Sequence, residues 1–251
     1  MNMRAVLLAL ISAALFGVST PAAKALLGSI NPAILAGLLY CGAGLGVTAM
    51  RRLPSTRHET ALARKDLPWL AGAIAAGGIA GPILLMSGLA RTEAAAASLL
   101  LTLEGVAAAL LAWFVFHENF DRRVATGMAF LVAGALVLSW TGQPTLSGLL
   151  GPLLIASACV AWALDNNFTR KVSLADPLQI VQLKGLIAGP VSLALGLMAG
   201  GQLPGVSTAV LAGLVGFLGY GLSLALFVRR RAYATHLMMR SLGAWKRTTS
   251  G

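Results

Sequence analysis

The sequence predicts an all-α integral membrane protein with eight transmembrane helices, the greater part of a ten-helix plan of two inverted five-helix repeats whose last two helices are missing. Three observations predict it. Only 11% of the 251 residues are charged against 57% hydrophobic, and mean hydropathy is +0.81. A soluble domain of this size is about a quarter charged, so lipid is the expected solvent. The apolar residues fall in stretches of about 20, the length that crosses a bilayer. The order and spacing of those stretches repeat within the chain.

The predicted spans are Ala5–Leu27, Pro32–Met50, Leu67–Ala90, Ala94–Phe116, Val124–Trp140, Gly148–Val172, Pro177–Ala199 and Val206–Val228. Arg4 ahead of the first apolar run resembles the start of a cleavable signal peptide. The run is too long for a signal core, however, and the repeat uses it as a span. Pro21, Pro82 and Pro190 lie inside spans, where a missing N–H permits a kink. Gly42/Gly46, Gly77/Gly81, Gly185/Gly189 and Gly196/Gly200 are small-xxx-small pairs that let helices approach closely. Cys41 and Cys159 both fall in spans without histidine neighbours and read as small buried hydrophobes.

The net charge of +11 follows a topology and not a nucleic-acid surface. With the N-terminus inside, 16 of the 19 lysines and arginines fall on the cytoplasmic side, and only Arg91 falls outside. Lys24 and Lys184 lie within spans. This positive-inside bias places both termini in the cytoplasm.

In the repeat, Leu15-Phe16-Gly17 aligns with Ala161-Trp162-Ala163 and Lys24 with Arg170, at an offset of 146. Asn31-Pro32 matches Asp176-Pro177, and Gly78 to Arg91 matches Gly216 to Arg229 with Gly81 over Gly219. The expected organisation is a first repeat over 1–140, a partial second repeat over 148–228 and a basic cytoplasmic tail over 229–251. A first unit of five spans makes the second enter from the opposite side. Inverted repeats of this kind build midplane binding sites in many secondary transporters.

Few residues in the spans carry chemistry. Glu104 is expected near the bilayer centre, where a carboxylate costs about 2.5–3.5 kcal/mol on insertion scales and needs a partner, a watery cavity or a proton. It is read either as a proton-coupling or substrate-facing group, or as a protonated carboxyl bonded to a neighbouring helix. Asp165-Asn166-Asn167 follows Trp162 on the sixth span; three polar side chains in a row cover most of a turn, so some must face inward. Lys24 snorkels to the outer interface, and Lys184, beside Gln179 and Gln182, lies a third of the way into the seventh span. Either lysine is open to pairing with Glu104 or Asp165. Ser98, Thr102 and Tyr220 are weaker lining candidates.

Other chemistries are not readable. His58, His117 and His236 lie outside the spans, and His117-Glu118 lacks the second histidine of a zinc-protease helix. There is no G-x-S-x-G elbow and no phosphate loop. No enzyme activity and no cofactor are expected, and the partners are a lipid bilayer and a small molecule.

Ala97-Ser98-Leu99-Leu100, Leu103-Glu104-Gly105, Leu110-Leu111-Ala112 and His117-Glu118 resemble the fourth span of EamA-type transporters, within the drug/metabolite transporter superfamily. Trp162 through Asn167 with Arg170-Lys171, and Leu183-Lys184-Gly185, extend the resemblance to about residues 5–228. It implies ten helices, a central cavity and export or exchange of small metabolites such as amino acids. Against that pattern, Arg229–Gly251 contains no apolar span. The tail is read as an amphipathic helix on the inner leaflet or as a solvated segment. An out-of-frame reading of a longer gene is the expected origin, and the two other frames of the downstream DNA test it. A non-transporting remnant is the alternative reading of the chain, and a homodimer that supplies the missing walls is a third.

Overall fold

The structure is a computed structural model; it describes residues 3–28, 30–52, 62–116, 121–139, 146–172 and 176–226. The tail 229–251 and the three histidines lie outside the described residues. All regular elements among the described residues are helical. The first two spans are α1 (Met3–Leu26) and α2 (Pro32–Arg51). The third comprises α3 (Leu67–Ala73), a π-helical turn (Ile74–Ala80) and α4 (Gly81–Leu89). The fourth is split into α5 (Ala94–Leu100) and α6 (Leu103–Phe116). Then come α7 (Arg122–Ser139), α8 (Leu146–Lys171) and α9 (Pro177–Met198). The eighth span runs from α10 (Val206–Gly216) into a second π-helical turn (Phe217–Leu222) and ends at Leu226. Seven of these segments are long and apolar enough to cross a membrane, and α7 occupies the expected fifth span.

Two spans depart from uninterrupted helix for readable reasons. The first π turn runs into Pro82, which has no N–H to continue the ladder, and the Gly81 N–H reaches back five residues to the Ala76 carbonyl. The fourth span tightens at Leu101-Thr102. There Thr102 N–H, Glu104 N–H and Gly105 N–H each bond three residues back, at 3.0, 3.1 and 3.2 Å. The Thr102 hydroxyl donates to the Leu99 carbonyl at 2.6 Å, in competition with the helical bond.

α2 and α9 form the central pair, antiparallel and in close contact. A Cβ at Gly44 would sit 2.7 Å from the Gly185 carbonyl carbon, and one at Gly189 would sit 2.7 Å from the Cys41 nitrogen. Both helices begin alike. Asn31 accepts from Ala33 N–H and Asp176 from Leu178 N–H, both at 2.9 Å, each ahead of a proline. Asp176 also pairs with Arg51 at the far end of α2, so the cap ties the two helices together. At the other end Gly200 takes φ +80°, the left-handed turn that closes α9.

Around this pair, α8 packs on the third span and α1 on the eighth. The larger apolar cluster fills the end away from Arg51, with Ala23, Ile34, Leu35, Leu85, Met86 and Leu89 all buried. A smaller cluster of Leu70, Ile74, Val172 and Ile180 lies toward the Arg51 end.

Candidate functional site

A cavity of about 270 Å³ opens between α1, α2, α8, α9 and the eighth span. Ser12 and Phe16 come from α1, Tyr40 and Ala43 from α2, and Asp165 from α8. Val181, Lys184 and Gly185 come from α9, and Tyr220, Ser223 and Leu224 from the eighth span. The walls are mostly apolar, with Tyr40 and Tyr220 tilted at 5.9 Å and Phe16 edge-on to Tyr220 at 6.0 Å.

One ion pair stands in this wall. Lys184 Nζ donates to Asp165 Oδ1, and the two side chains are 15% and 11% exposed. The same oxygen accepts from the Thr169 hydroxyl at 3.0 Å, one turn along α8, and Lys184 reaches that hydroxyl at 3.4 Å. Removing two charges from water is tolerated when they pair and the remaining valences are filled.

Asp165 fits because the facing helix lacks a side chain: a Cβ on Gly77 would collide with its carboxylate. The Gly77 carbonyl, in the first π turn, accepts from Tyr40 OH at 2.8 Å and from Trp162 Nε1 at 3.1 Å. Gly81 is bare for the same reason, since its Cβ would lie 2.8 Å from Trp162 Nε1. The Gly77/Gly81 pair therefore admits two side chains of α8, where the sequence predicts close helix backbones.

The predicted site residues separate into groups. Asp165, Lys184 and Tyr220 line the cavity, and Trp162 supports it through Gly77. Asn166, 100° further round α8, leaves it and donates to Glu104 Oε1 at 2.9 Å. Glu104 thus sits in the first turn of α6, beside the tightened turn and outside the lining of the cavity. Asn167 is buried and donates to Ala163 O at 2.8 Å within its own helix. Ser98 is exposed and bonds Ala94 O at 2.8 Å. Lys24 approaches neither carboxylate: it donates to Leu89 O at 2.5 Å and Ala90 O at 3.4 Å at the end of α4. Of the two lysines left open by sequence, Lys184 is the one that meets Asp165.

Sequence reasoning missed Ser12, Phe16, Tyr40, Thr169 and Ser223. Thr169 carried a signal, four residues after Asp165 and so on the same helix face. Phe16 carried another, as the aligned counterpart of Trp162.

Residues 3–140, more than half of the chain, match the EamA-like transporter family. The chain belongs to that family. An archaeal relative from Methanothermobacter thermautotrophicus, described as an uncharacterized transporter, is 26% identical over 201 residues, covering 74% of this chain. The EamA-like chain spans 59% of that relative's length. A solved crystal structure at 18% identity superposes with a TM-score of 0.59, over 90% of this chain and 80% of the other; it shares the fold. Family and helices together make this a multi-pass membrane protein.

Proposed function

We propose that the chain is a secondary transporter that exports or exchanges small zwitterionic metabolites, amino acids or related compounds, across the plasma or inner membrane. The observation that carries this reading is the Asp165–Lys184 pair in the cavity wall. Ionisable groups within spans mark substrate and ion pathways. A ligand with one positive and one negative group can satisfy both side chains when it parts them. A ligand of single charge would leave one of them uncompensated.

Further support comes from the contact pattern. The first span meets the eighth as the sixth meets the third, with the second against the seventh. An inverted repeat of 1–140 on 148–228 produces this pairing. The positive-inside bias then puts the Arg51 end, both termini and the cavity on the cytoplasmic side.

Counterflow in proteoliposomes tests the proposal with a zwitterionic amino acid, its amide and its deaminated acid as probes. Uptake of the zwitterion alone, lost in Asp165→Asn and Lys184→Met, is the expected result. Equal uptake by wild type and both variants would overturn it. A second reading is a membrane protein of this family that does not transport. No uptake from inserted, monodisperse protein would select it.

A further inference from the structure

We propose that Lys24 is the latch that keeps the cavity closed at the end of the bundle opposite Arg51. The proposal rests on the transport reading for its purpose, and on geometry for its substance. The cavity lies toward one end: Lys184 is seven residues from the Arg51-side start of α9, and Ser223 and Leu224 are near the end of the eighth span. The opposite end is filled by Ala23, Ile34, Leu35, Leu85, Met86 and Leu89, each at most 1% exposed. A solute that crosses must part this plug.

Not every helix is free to part it. α2 and α9 touch backbone to backbone, with Gly196 against Ile34 at this end and Gly44 against Gly185 further along. Asp176 fastens them to each other at the Arg51 end. The plug therefore opens more readily by α1 leaving the third span, along which it makes only a short contact. Lys24 crosses that seam. Its ammonium holds the Leu89 and Ala90 carbonyls at the end of α4, where the helical ladder runs out and Leu89 O otherwise accepts only a long bond, 3.4 Å, from Thr92 N–H. A cation is favoured there by the helix dipole. Ala23 beside it and Leu89 beneath it are both fully buried, so the bond closes the lid of the apolar plug. A lysine near a helix end can also snorkel to water or headgroups, which makes the bond exchangeable, as a latch requires.

The test reads access without needing a substrate. In a background with Cys41→Ala and Cys159→Ala, Leu35→Cys is labelled by a membrane-impermeant maleimide from each face of oriented vesicles. Lys24→Gln should speed labelling from the Lys24 face by about three- to tenfold, the weight of one net hydrogen bond. Lys24→Arg, which keeps donors for both carbonyls, should stay near the parent rate. Unchanged labelling in Lys24→Gln overturns the latch. Should that variant not insert, Lys24→Cys/Ala90→Cys joined by a short bifunctional thiol reagent with a cleavable bridge gives the second measurement. Counterflow should stop on crosslinking and return on cleavage, and counterflow at the uncrosslinked rate overturns the latch. Faster labelling with no uptake in any form removes the transport reading alone. Normal uptake with unchanged labelling removes the latch alone.

Discussion

Two contacts in this bundle share a scaffold and differ in chemistry. Where α8 meets the third span, Trp162 and Asp165 press on Gly81 and Gly77. Where α1 meets the eighth span, Phe16 and Ser19 occupy the aligned positions, and Ser19 presses on Gly219 while Phe16 stands edge-on to Tyr220. Each contact includes an aromatic ring, a polar side chain three residues later and a π turn carrying bare glycine. Only the first holds a charge. Ser19 donates its hydroxyl to its own helix, at 2.6 Å from Phe16 O, and meets Tyr220 across the contact as a neutral partner, whereas Asp165 reaches across to the charged Lys184. Close glycine-backed approach is therefore the frame, and the carboxylate is what one half adds to it.

The largest effect should come from erasing that addition. Asp165→Ser gives α8 the residue of its counterpart and leaves Lys184 without its carboxylate partner. Breaking a buried pair from one side costs about 3–5 kcal/mol. Thermal unfolding in detergent should show that loss, and Asp165→Ser/Lys184→Met should regain most of it without regaining counterflow. A single variant as stable as wild type would mean that the pair contributes little to the fold.

Next in size are the glycines. Gly77→Ala places a methyl against the Asp165 carboxylate, and Gly219→Ala places one 2.5 Å from Ser19 Cβ. Both are overpacked and should lose about 1–3 kcal/mol. They should differ in function: Gly77→Ala displaces the ion pair and should weaken ligand affinity, while Gly219→Ala should leave affinity near wild type. Equal loss of affinity in both would end the distinction between the two contacts.

This asymmetry was partly legible in the sequence. The spans were, because about 20 apolar residues in a row have few other soluble or membrane uses. Asp165 and Lys184 were, because charges are rare in such runs. Which lysine would find the acid was not, since helices apolar on all sides carry no periodic mark of their inner face. Glu104 illustrates the limit. Its depth was read from its place in the span, but the tightened turn at Thr102 and the outward turn of Asn166 that keep it out of the cavity lining depend on neighbours. Tyr40 escaped notice because its role lies in a carbonyl, that of Gly77, which no side-chain pattern reports.

The two helix caps offer a finer comparison of the same kind. Asn31 and Asp176 each cap a helix that begins with proline, but only Asp176 carries charge to Arg51. Asp176→Asn copies the other cap and should lose only the ion pair. Asp176→Ala should lose the cap as well, a further difference of about 1 kcal/mol in the unfolding free energy. Matching stabilities for the two variants would mean that the capping bond adds nothing once the charge is gone.

The smallest effect is expected at Glu104. A glutamine there keeps an oxygen to accept from Asn166, and Glu104 is not among the residues that line the cavity. Glu104→Gln should insert normally and unfold at the wild-type temperature, and counterflow should keep its affinity. The informative measurement is uptake against an imposed pH gradient. Retained gradient dependence fits a carboxylate that braces the joint between α5 and α6. Abolished dependence with normal insertion would make Glu104 the proton-coupling group. Charge would then act at two separate places in the bundle, one for solute and one for the proton, and the contrast between the two glycine-backed contacts would describe solute recognition alone.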